Sequence, residues 1–407
     1  MCTQRSSDPV ELSACRAIQA WLDRALRPVS CATARMAFVP PWHAGIGSSL
    51  FTFASFAMLA VEHGYAIYPT GVWKFARGSF PPTHEHFFEP LSTCSGEAHR
   101  RLNSGAVTNT RFTRARRWAN STFHGDHFVS LLSEGLQSVR LVTLESPKRG
   151  RPNPFPFRLS NVWHVLELAR KHSWSFDEMF SLMLSRIMQP RPWLRAQLEL
   201  LSLAPPAFAA AGGSFAPPFG AAVHIRGSEF TGDARVPIPL ADYIKLMAQL
   251  PPSARRVIYL ASDVPNITSQ MELQMVDWPG GWKPRFVAGA GFGISLVLST
   301  RDKSGQHPSA ESAVSRLKTE EVRRVTTEAL IDMYALAAAT NYIGTASNWA
   351  QVVLLLRLAA NRTHFGRSSR LSKFKRAFSG QTQIWHAAPC ADRTATCNVV
   401  QWANSAF

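Results

Sequence analysis

Apolar residues along this chain fall into short unbroken runs, separated by glycine turns and by stretches with helical spacing. Met36-Ala-Phe-Val39 has the length of a buried strand, and Tyr65-Ala-Ile-Tyr68 is a second such run. Between them, Ala44 to Val61 is 18 residues without a charge, near the lower length limit of a membrane span. The spacing points elsewhere: Leu50, Phe53, Ala54, Ala57, Met58 and Val61 recur at i, i+3, i+4 and i+7, while Ser48, Thr52 and Ser55 fall on another face. A buried amphipathic helix is expected, entered through Gly45-Ile-Gly47-Ser-Ser. Strand, glycine turn, helix and strand make a βαβ unit.

The pattern returns further along. Residues 203–220 carry no charge and are rich in Pro, Gly and Ala, the composition of a connector. The main boundary is placed there, giving domains 1–205 and 206–407. Beyond it, Gly220 to Ile225 and Val257 to Ala261 read as strands, and Pro239 to Leu250 as a helix. Glu320 to Ala339 has helical spacing, Asn341-Tyr-Ile-Gly344 is a short strand, and Thr345-Ala-Ser-Asn348 is a turn with N-cap character before a helix from Trp349 to Ala360. Strands and helices alternate in both halves, so an α/β fold of two Rossmann-like domains is expected.

Charge adds a direction but no target. There are 44 Lys+Arg against 27 Asp+Glu, a net +17, yet charged residues are only 17% of a chain that is 46% hydrophobic. The excess reflects a shortage of acids, which excludes a disordered basic tail and favours an anionic partner: nucleic acid, an acidic membrane surface or a phosphorylated small molecule. The acid-free stretch from Asn361 to Ala391 reads as a solvated basic surface or an anion contact. Six cysteines without a C-x-x-C give little support to a zinc site. Their even number, with N-x-S/T sites at Asn120, Asn266 and Asn361, fits an oxidising, glycosylating compartment, whereas residues 1–40 contain no apolar run with a basic flank. No signal peptide or anchor is therefore expected in this chain, and a cytoplasmic location stays open.

Candidate chemistry gathers at strand ends. Gly45-Ile-Gly47-Ser48 lets a ligand approach backbone N–H groups at a helix N-terminus, where the dipole favours negative charge. Gly289-Ala-Gly291-Phe-Gly293 lacks the spacing of a dinucleotide loop and reads as a turn. Val223-His-Ile-Arg226-Gly-Ser-Glu229 closes a central strand, with His224 and Arg226 on the same side. Ligands of open α/β sheets bind beyond the carboxyl ends of strands, and an Arg there presents a fixed fork of donors to phosphate. Tyr259-Leu-Ala-Ser-Asp263-Val-Pro265 is a second strand ending in an acid, and Asp332 on a helix precedes Thr345-Ala-Ser347. Together these make a nucleotide site the leading expectation.

At these residues the chain resembles the α-1,6-fucosyltransferases and their relatives among protein O-fucosyltransferases and bacterial nodulation fucosyltransferases. Their pattern, H-V-R-R-x-D-K, a Pro and a Tyr one helix turn apart, Y-x-A-T/S-D-D-P and a late Asp helix before T-x-S-S, is similar to His224-Ile-Arg226, Pro239 with Tyr243, Tyr259 to Pro265, Asp332, and Thr345-Ala-Ser347. Upstream, Phe88-Glu-Pro-Leu-Ser92-Thr-Cys94 and Gln189-Pro-Arg-Pro-Trp193-Leu extend the resemblance, which covers most of residues 41–360.

The resemblance implies a GT-B architecture, two Rossmann-like domains facing a central cleft that binds GDP-fucose, and a glycan or glycoprotein acceptor. It gives Arg226 to the β-phosphate, His224 and Asp332 to guanine, and the loop at Thr345 and Ser347 to phosphate. Tyr243, Asp263, Gly45 and Gly47 complete the donor set. No metal is implied, since Arg and helix-terminal N–H groups can stabilise the leaving diphosphate. A carboxylate would take the acceptor's proton during an inverting transfer through an oxocarbenium-like state. Secretion, through the Golgi lumen, and a disulfide at Cys94 with unassigned partner are also implied. Cys390 and Cys397 are close enough for a local bridge.

The departures are specific. Gly227 stands for the second Arg of the loop, Glu229 for its Asp, Phe230 for its Lys and Val264 for the second Asp of D-D-P; the catalytic Glu position falls on Ala234, beside Asp233. Asp233 and Glu229 are the candidate bases. A pseudoenzyme that binds nucleotide sugar without transfer is the alternative; a nucleic-acid binder lacks any reader motif.

Overall fold

The structure is a computed structural model that describes residues 9–39, 46–70, 83–109, 123–141, 157–200, 219–225, 239–262, 266–275, 278, 284–289, 318–345, 348–359, 384–387 and 400–402. It divides into two compact units, one ending at Arg191 and the other beginning at Pro192. The connector expected at residues 203–220 lies outside the described residues, Phe219 and Gly220 excepted.

The first unit opens with α1 (Pro9–Leu26), β1 (Met36–Val39), α2 (Ile46–Glu62) and β2 (Ala66–Pro69). α3 (Thr83–Phe87), α4 (Ser95–Asn103), β3 (Thr108–Asn109), α5 (Phe123–Ser133), β4 (Ser138–Arg140), α6 (Phe157–Lys171) and α7 (Phe176–Ile187) follow. The strands form an all-parallel sheet in the order β2-β1-β4-β3, with Phe38 beside both Tyr68 and Arg140. α2 packs against β1 and β2 on one side and against α5, α6 and α7 on others. That position explains its composition, because a helix apolar on most sides is stable only when covered on most sides. Ser55, expected on a polar face, is itself buried and donates to the Phe51 carbonyl at 3.0 Å. Among the described residues no helix is long and apolar enough to cross a membrane.

The second unit comprises α8 (Pro192–Leu200), β5 (Ala221–Ile225), α9 (Leu240–Ala248), β6 (Val257–Ser262), α10 (Ile267–Gln274), β7 (Arg285–Ala288), α11 (Thr319–Ala338), β8 (Asn341–Thr345), α12 (Asn348–Ala359), β9 (Ile384–Ala387) and β10 (Val400–Trp402). Its sheet runs β10-β9-β8-β5-β6-β7; the four strands from β8 to β7 are parallel, and β9 pairs antiparallel with both β8 and β10. β9 corrects the reading of the basic tail, since Ile384–Ala387 is a strand of the sheet. Thr345, expected to open a turn, is the last residue of β8. One face is covered by Tyr243, Leu246, Met247 and Leu250, packed on Val223, Ile225, Leu260 and Ile343. α11 packs on β5 and β6. The molecule is thus α/β, with two successive units on parallel strands, the make-up that a GT-B protein requires.

Candidate functional site

Strand order fixes where the second unit can hold a ligand. β6 and β7 extend the sheet to one side of β5, and β8 lies on the other side, so the winding reverses between β5 and β8. Crevices at such reversals, beyond the carboxyl ends of the strands, are the ligand sites of open α/β sheets. His224, the penultimate residue of β5, stands there in register with Gly344 of β8 and Ala261 of β6. Gly289 continues the row past Ala261, its N–H donating to the Leu260 carbonyl at 2.8 Å. The imidazole is half-buried and stacks at 6.0 Å, with 28° between planes, on Trp349 in the first turn of α12.

Asp332 meets the same face from α11. It is 5% exposed and accepts a hydrogen bond from the Tyr259 hydroxyl at 2.7 Å. A Cβ at Gly289 would stand 2.8 Å from Asp332 Oδ1, so the glycine leaves the room that the carboxylate occupies. Tyr342, one row back from His224, lies along the sheet with its hydroxyl over Gly344, where a Cβ would collide with it. Burial pushes that hydroxyl's pKa upward, Tyr243 adds to the shift, and the Arg357 guanidinium, 5.9 Å from the ring, opposes it. Arg357 is fully buried and donates to the carbonyls of Leu336, Ala339 and Thr340, which neutralises the negative end of α11 and ties α12 to it.

Of the residues expected from sequence, the structure brings His224 and Asp332 to one face and places Thr345 at the end of the neighbouring strand. Tyr243 does not join them; it sits in the apolar cluster that contains Val223 and Ile225, residues pointing to the other face from His224. Gly47 is the second residue of α2, in the first unit. Arg226, Glu229, Asp233, Asp263, Ser347 and Gly45 lie outside the described residues, as do Cys390 and Cys397. Arg226 follows directly on the last residue of β5, and Asp263 on the last residue of β6. Sequence reasoning missed Trp349 and the spatial role of Gly289. The available signal was an aromatic at the second position of the helix that follows a central strand.

The first unit joins two segments that the sequence placed 100 residues apart. Phe88 bridges to Pro190, the Glu89 N–H donates to the Gln189 carbonyl at 2.7 Å, and the Arg191 N–H donates to the Phe87 carbonyl at 2.9 Å. Arg191 Nε also donates to the Glu85 carbonyl at 2.9 Å. Burial raises the Glu85 carboxyl's pKa, while the Ser95 hydroxyl, donating at 3.2 Å, and the Arg191 charge act against it. Burial and the Glu85 charge push Tyr68 up to about 12. His84 is fully buried and held neutral, its pKa lowered to about 4 by desolvation, with Nε2 on the Ile187 carbonyl at 3.0 Å. The partner of Cys94 is Cys31, with Cα atoms 5.2 Å apart. Cys15 is disulfide-bonded as well.

No protein-family model and no curated protein matches the chain. In fold it is similar to a point mutant of FUT1 from Arabidopsis thaliana in complex with GDP, at 10% identity and a TM-score of 0.44 over 86% of this chain and 78% of that one.

Proposed function

We propose that the protein is an inverting glycosyltransferase that uses a GDP-sugar, GDP-fucose by the motif resemblance, on a glycan or glycoprotein acceptor. The observation that carries this reading is that His224 and Asp332 stand on one face of the sheet, His224 at the β5/β8 reversal and Asp332 against Tyr259 of β6 and Gly289 past the end of β7. These are the two residues to which the resemblance gives guanine. A purine held there directs its diphosphate toward the loop after β5, which begins with Arg226, and toward the start of α12, where N–H groups and the helix dipole favour negative charge. Arg226 and those N–H groups stabilise the leaving diphosphate without a divalent ion. The bond from the anomeric carbon to phosphate oxygen breaks as the acceptor oxygen attacks from the opposite side, and its proton passes to Asp233 or Glu229. In this reading the second unit binds the donor. The Cys31–Cys94 bridge fits work in an oxidising compartment, the secretory pathway.

Thermal melting in EDTA tests the donor site. GDP at about 100 times its dissociation constant is expected to raise Tm by roughly 5 °C or more. Arg226→Ala removes the shift and His224→Ala reduces it. An unchanged Tm at millimolar GDP overturns the proposal. GDP binding without turnover of GDP-fucose, with any acceptor glycan or water, would leave the binding-only reading that Ala234 in the base position favours.

A further inference from the structure

Of the three N-x-S/T sites in the chain, Asn266-Ile-Thr268 lies wholly within the described residues, whereas Asn120 and Asn361 lie outside them. The triplet opens α10, a few residues after β6 ends. Asn266 is exposed and left-handed, with φ 55° and ψ 26°, a conformation that Asn adopts more readily than most residues. Its carbonyl accepts the first helical bond, from the Gln270 N–H at 3.0 Å, but its side chain makes no capping bond. An asparagine kept to cap α10 would turn its amide oxygen onto N–H groups of the first turn. Thr268 supplies an independent observation: its hydroxyl oxygen is buried with no hydrogen-bond partner among the described residues. A hydroxyl left so destabilises the fold, and a valine would fill nearly the same space without that cost. Between them, Ile267 is 2% exposed in the apolar cluster with Val223 and Ile225, which fixes the segment to the sheet.

We propose that Asn266 is an N-glycan acceptor and that the Thr268 hydroxyl serves the glycan transfer, which takes place before α10 forms. The proposal rests on the secretory reading above. In the transfer, Asn266 Nδ2 attacks the anomeric carbon of a lipid-linked pyrophosphate oligosaccharide. The N–C bond forms, the bond from that carbon to pyrophosphate oxygen breaks, the lipid pyrophosphate leaves, and the amide gives one proton to a base of the transferase. Recognition of the acceptor includes the hydroxyl two residues on. In the extended chain both groups are accessible. Folding then buries the hydroxyl, whose work is done, and leaves the asparagine outside, where a bulky polar glycan can stand. α10 packs on α9 and, through Ile267 and Met271, on the sheet face opposite to His224. The glycan is thus carried on the other side of the sheet from His224 and Asp332.

The full chain, led into the secretory pathway of cultured cells by an appended signal peptide, tests this. Enzymatic release of N-glycans in heavy-oxygen water marks each occupied asparagine, and peptide mapping reads the marks one by one. Asn266 is expected to carry the mark in most molecules. Thr268→Ser retains it at lower occupancy, whereas Thr268→Val and Asn266→Asp, which keeps the left-handed turn and loses the amide, abolish it. The role of Thr268 has a second readout. Made in a bacterial host that forms disulfides but no N-glycans, Thr268→Val is expected to melt at the wild-type temperature or up to about 5 °C higher. A lower Tm would show that the hydroxyl serves the fold and overturns the role given to it. An unmarked Asn266 overturns the acceptor site. The Cys31–Cys94 bridge, mapped in the same digest, separates that failure from a failure of the secretory reading. With the bridge formed and Asn266 unmarked, the acceptor site alone falls; with both missing, the secretory reading falls as well.

Discussion

Each unit buries an arginine among backbone carbonyls, and the surroundings of the two differ. In the first, Arg101 donates to the carbonyls of Cys31, Ala32, Ala34 and Gln137, to the Ser138 hydroxyl and to Glu97, which sews the loop before β1 to α4 and β4 beside the Cys31–Cys94 bridge. Elsewhere in the same unit, Glu62 accepts from Trp21, Lys171 and His172; burial would raise its pKa, and the bonds from Lys171 and His172 outweigh that and hold it down. In the second unit, Arg357 caps α11, yet polar atoms around it and the start of α12 are buried without a hydrogen-bond partner among the described residues: Tyr342 Oη, Trp349 Nε1 and Gln351 Oε1. Native proteins leave few such atoms, because each costs about 1–3 kcal/mol. The first unit spends its polar groups on holding its own backbone. The second leaves three such atoms around Arg357 and the start of α12, beside the strand ends where its strand order places a ligand, whereas Thr70 Oγ1 is an exception in the first.

Arg101 offers the largest break in that contrast. Arg101→Met keeps an apolar stem but leaves the carbonyls of Cys31, Ala32 and Ala34 without their donor, while Gln137 keeps the Met36 N–H and Glu97 keeps Arg100. Urea unfolding at pH 7 is expected to show a loss of about 3–5 kcal/mol, as for other charged groups removed from buried networks.

Protonation of His84 comes next. The folded protein keeps this imidazole neutral down to about 4, against an ordinary value of 6.5, so between those pH values the unfolded chain binds a proton that the folded chain refuses. Stability attributable to His84 is whole above pH 6.5 and falls as pH drops toward 4, by about 3 kcal/mol at 1.36 kcal/mol per pKa unit. His84→Gln retains a donor for the Ile187 carbonyl and removes the titration. The variant's unfolding free energy is therefore expected to fall less than the wild type's between pH 7 and pH 4.5. Identical slopes would show that another group governs acid sensitivity here.

What the chain discloses about itself follows from how local each signal is. β1, β2, β5, β6 and β8 are apolar runs ending at proline, glycine or polar residues, and α2 and α11 carry their spacing within one segment, so pattern alone found them. β3 is Thr108-Asn109 and β4 is Ser138-Val-Arg140; their strand character comes from pairing in register with β1 and with each other, which no two- or three-residue pattern encodes. β9 and β10 were hidden in the same way. His224 and Asp332 were legible because each sits in a motif. The partner of Cys94 was not, because a bridge across 63 residues depends on how α4 and the loop before β1 fold together. Gly289 read as a turn residue, and it became informative only when Asp332, on another element, proved to stand where its Cβ would be.

Tyr342 gives the smallest and most diagnostic effect. Its ring is fully buried, stands 5.9 Å from the Arg357 guanidinium and fills the space over Gly344 that any side chain would deny it. The hydroxyl has no hydrogen-bond partner among the described residues, so removing it forfeits no bond and relieves a desolvation cost. Tyr342→Phe is expected to leave stability unchanged or raise it by up to about 1 kcal/mol in urea unfolding. The first unit supplies the control, since Tyr65, equally buried, donates its hydroxyl to the Leu132 carbonyl at 3.2 Å. Tyr65→Phe is expected to cost about 1 kcal/mol. Opposite signs for the same substitution would confirm that the two units treat their buried polar groups differently, and a loss of equal size at Tyr342 would remove the contrast.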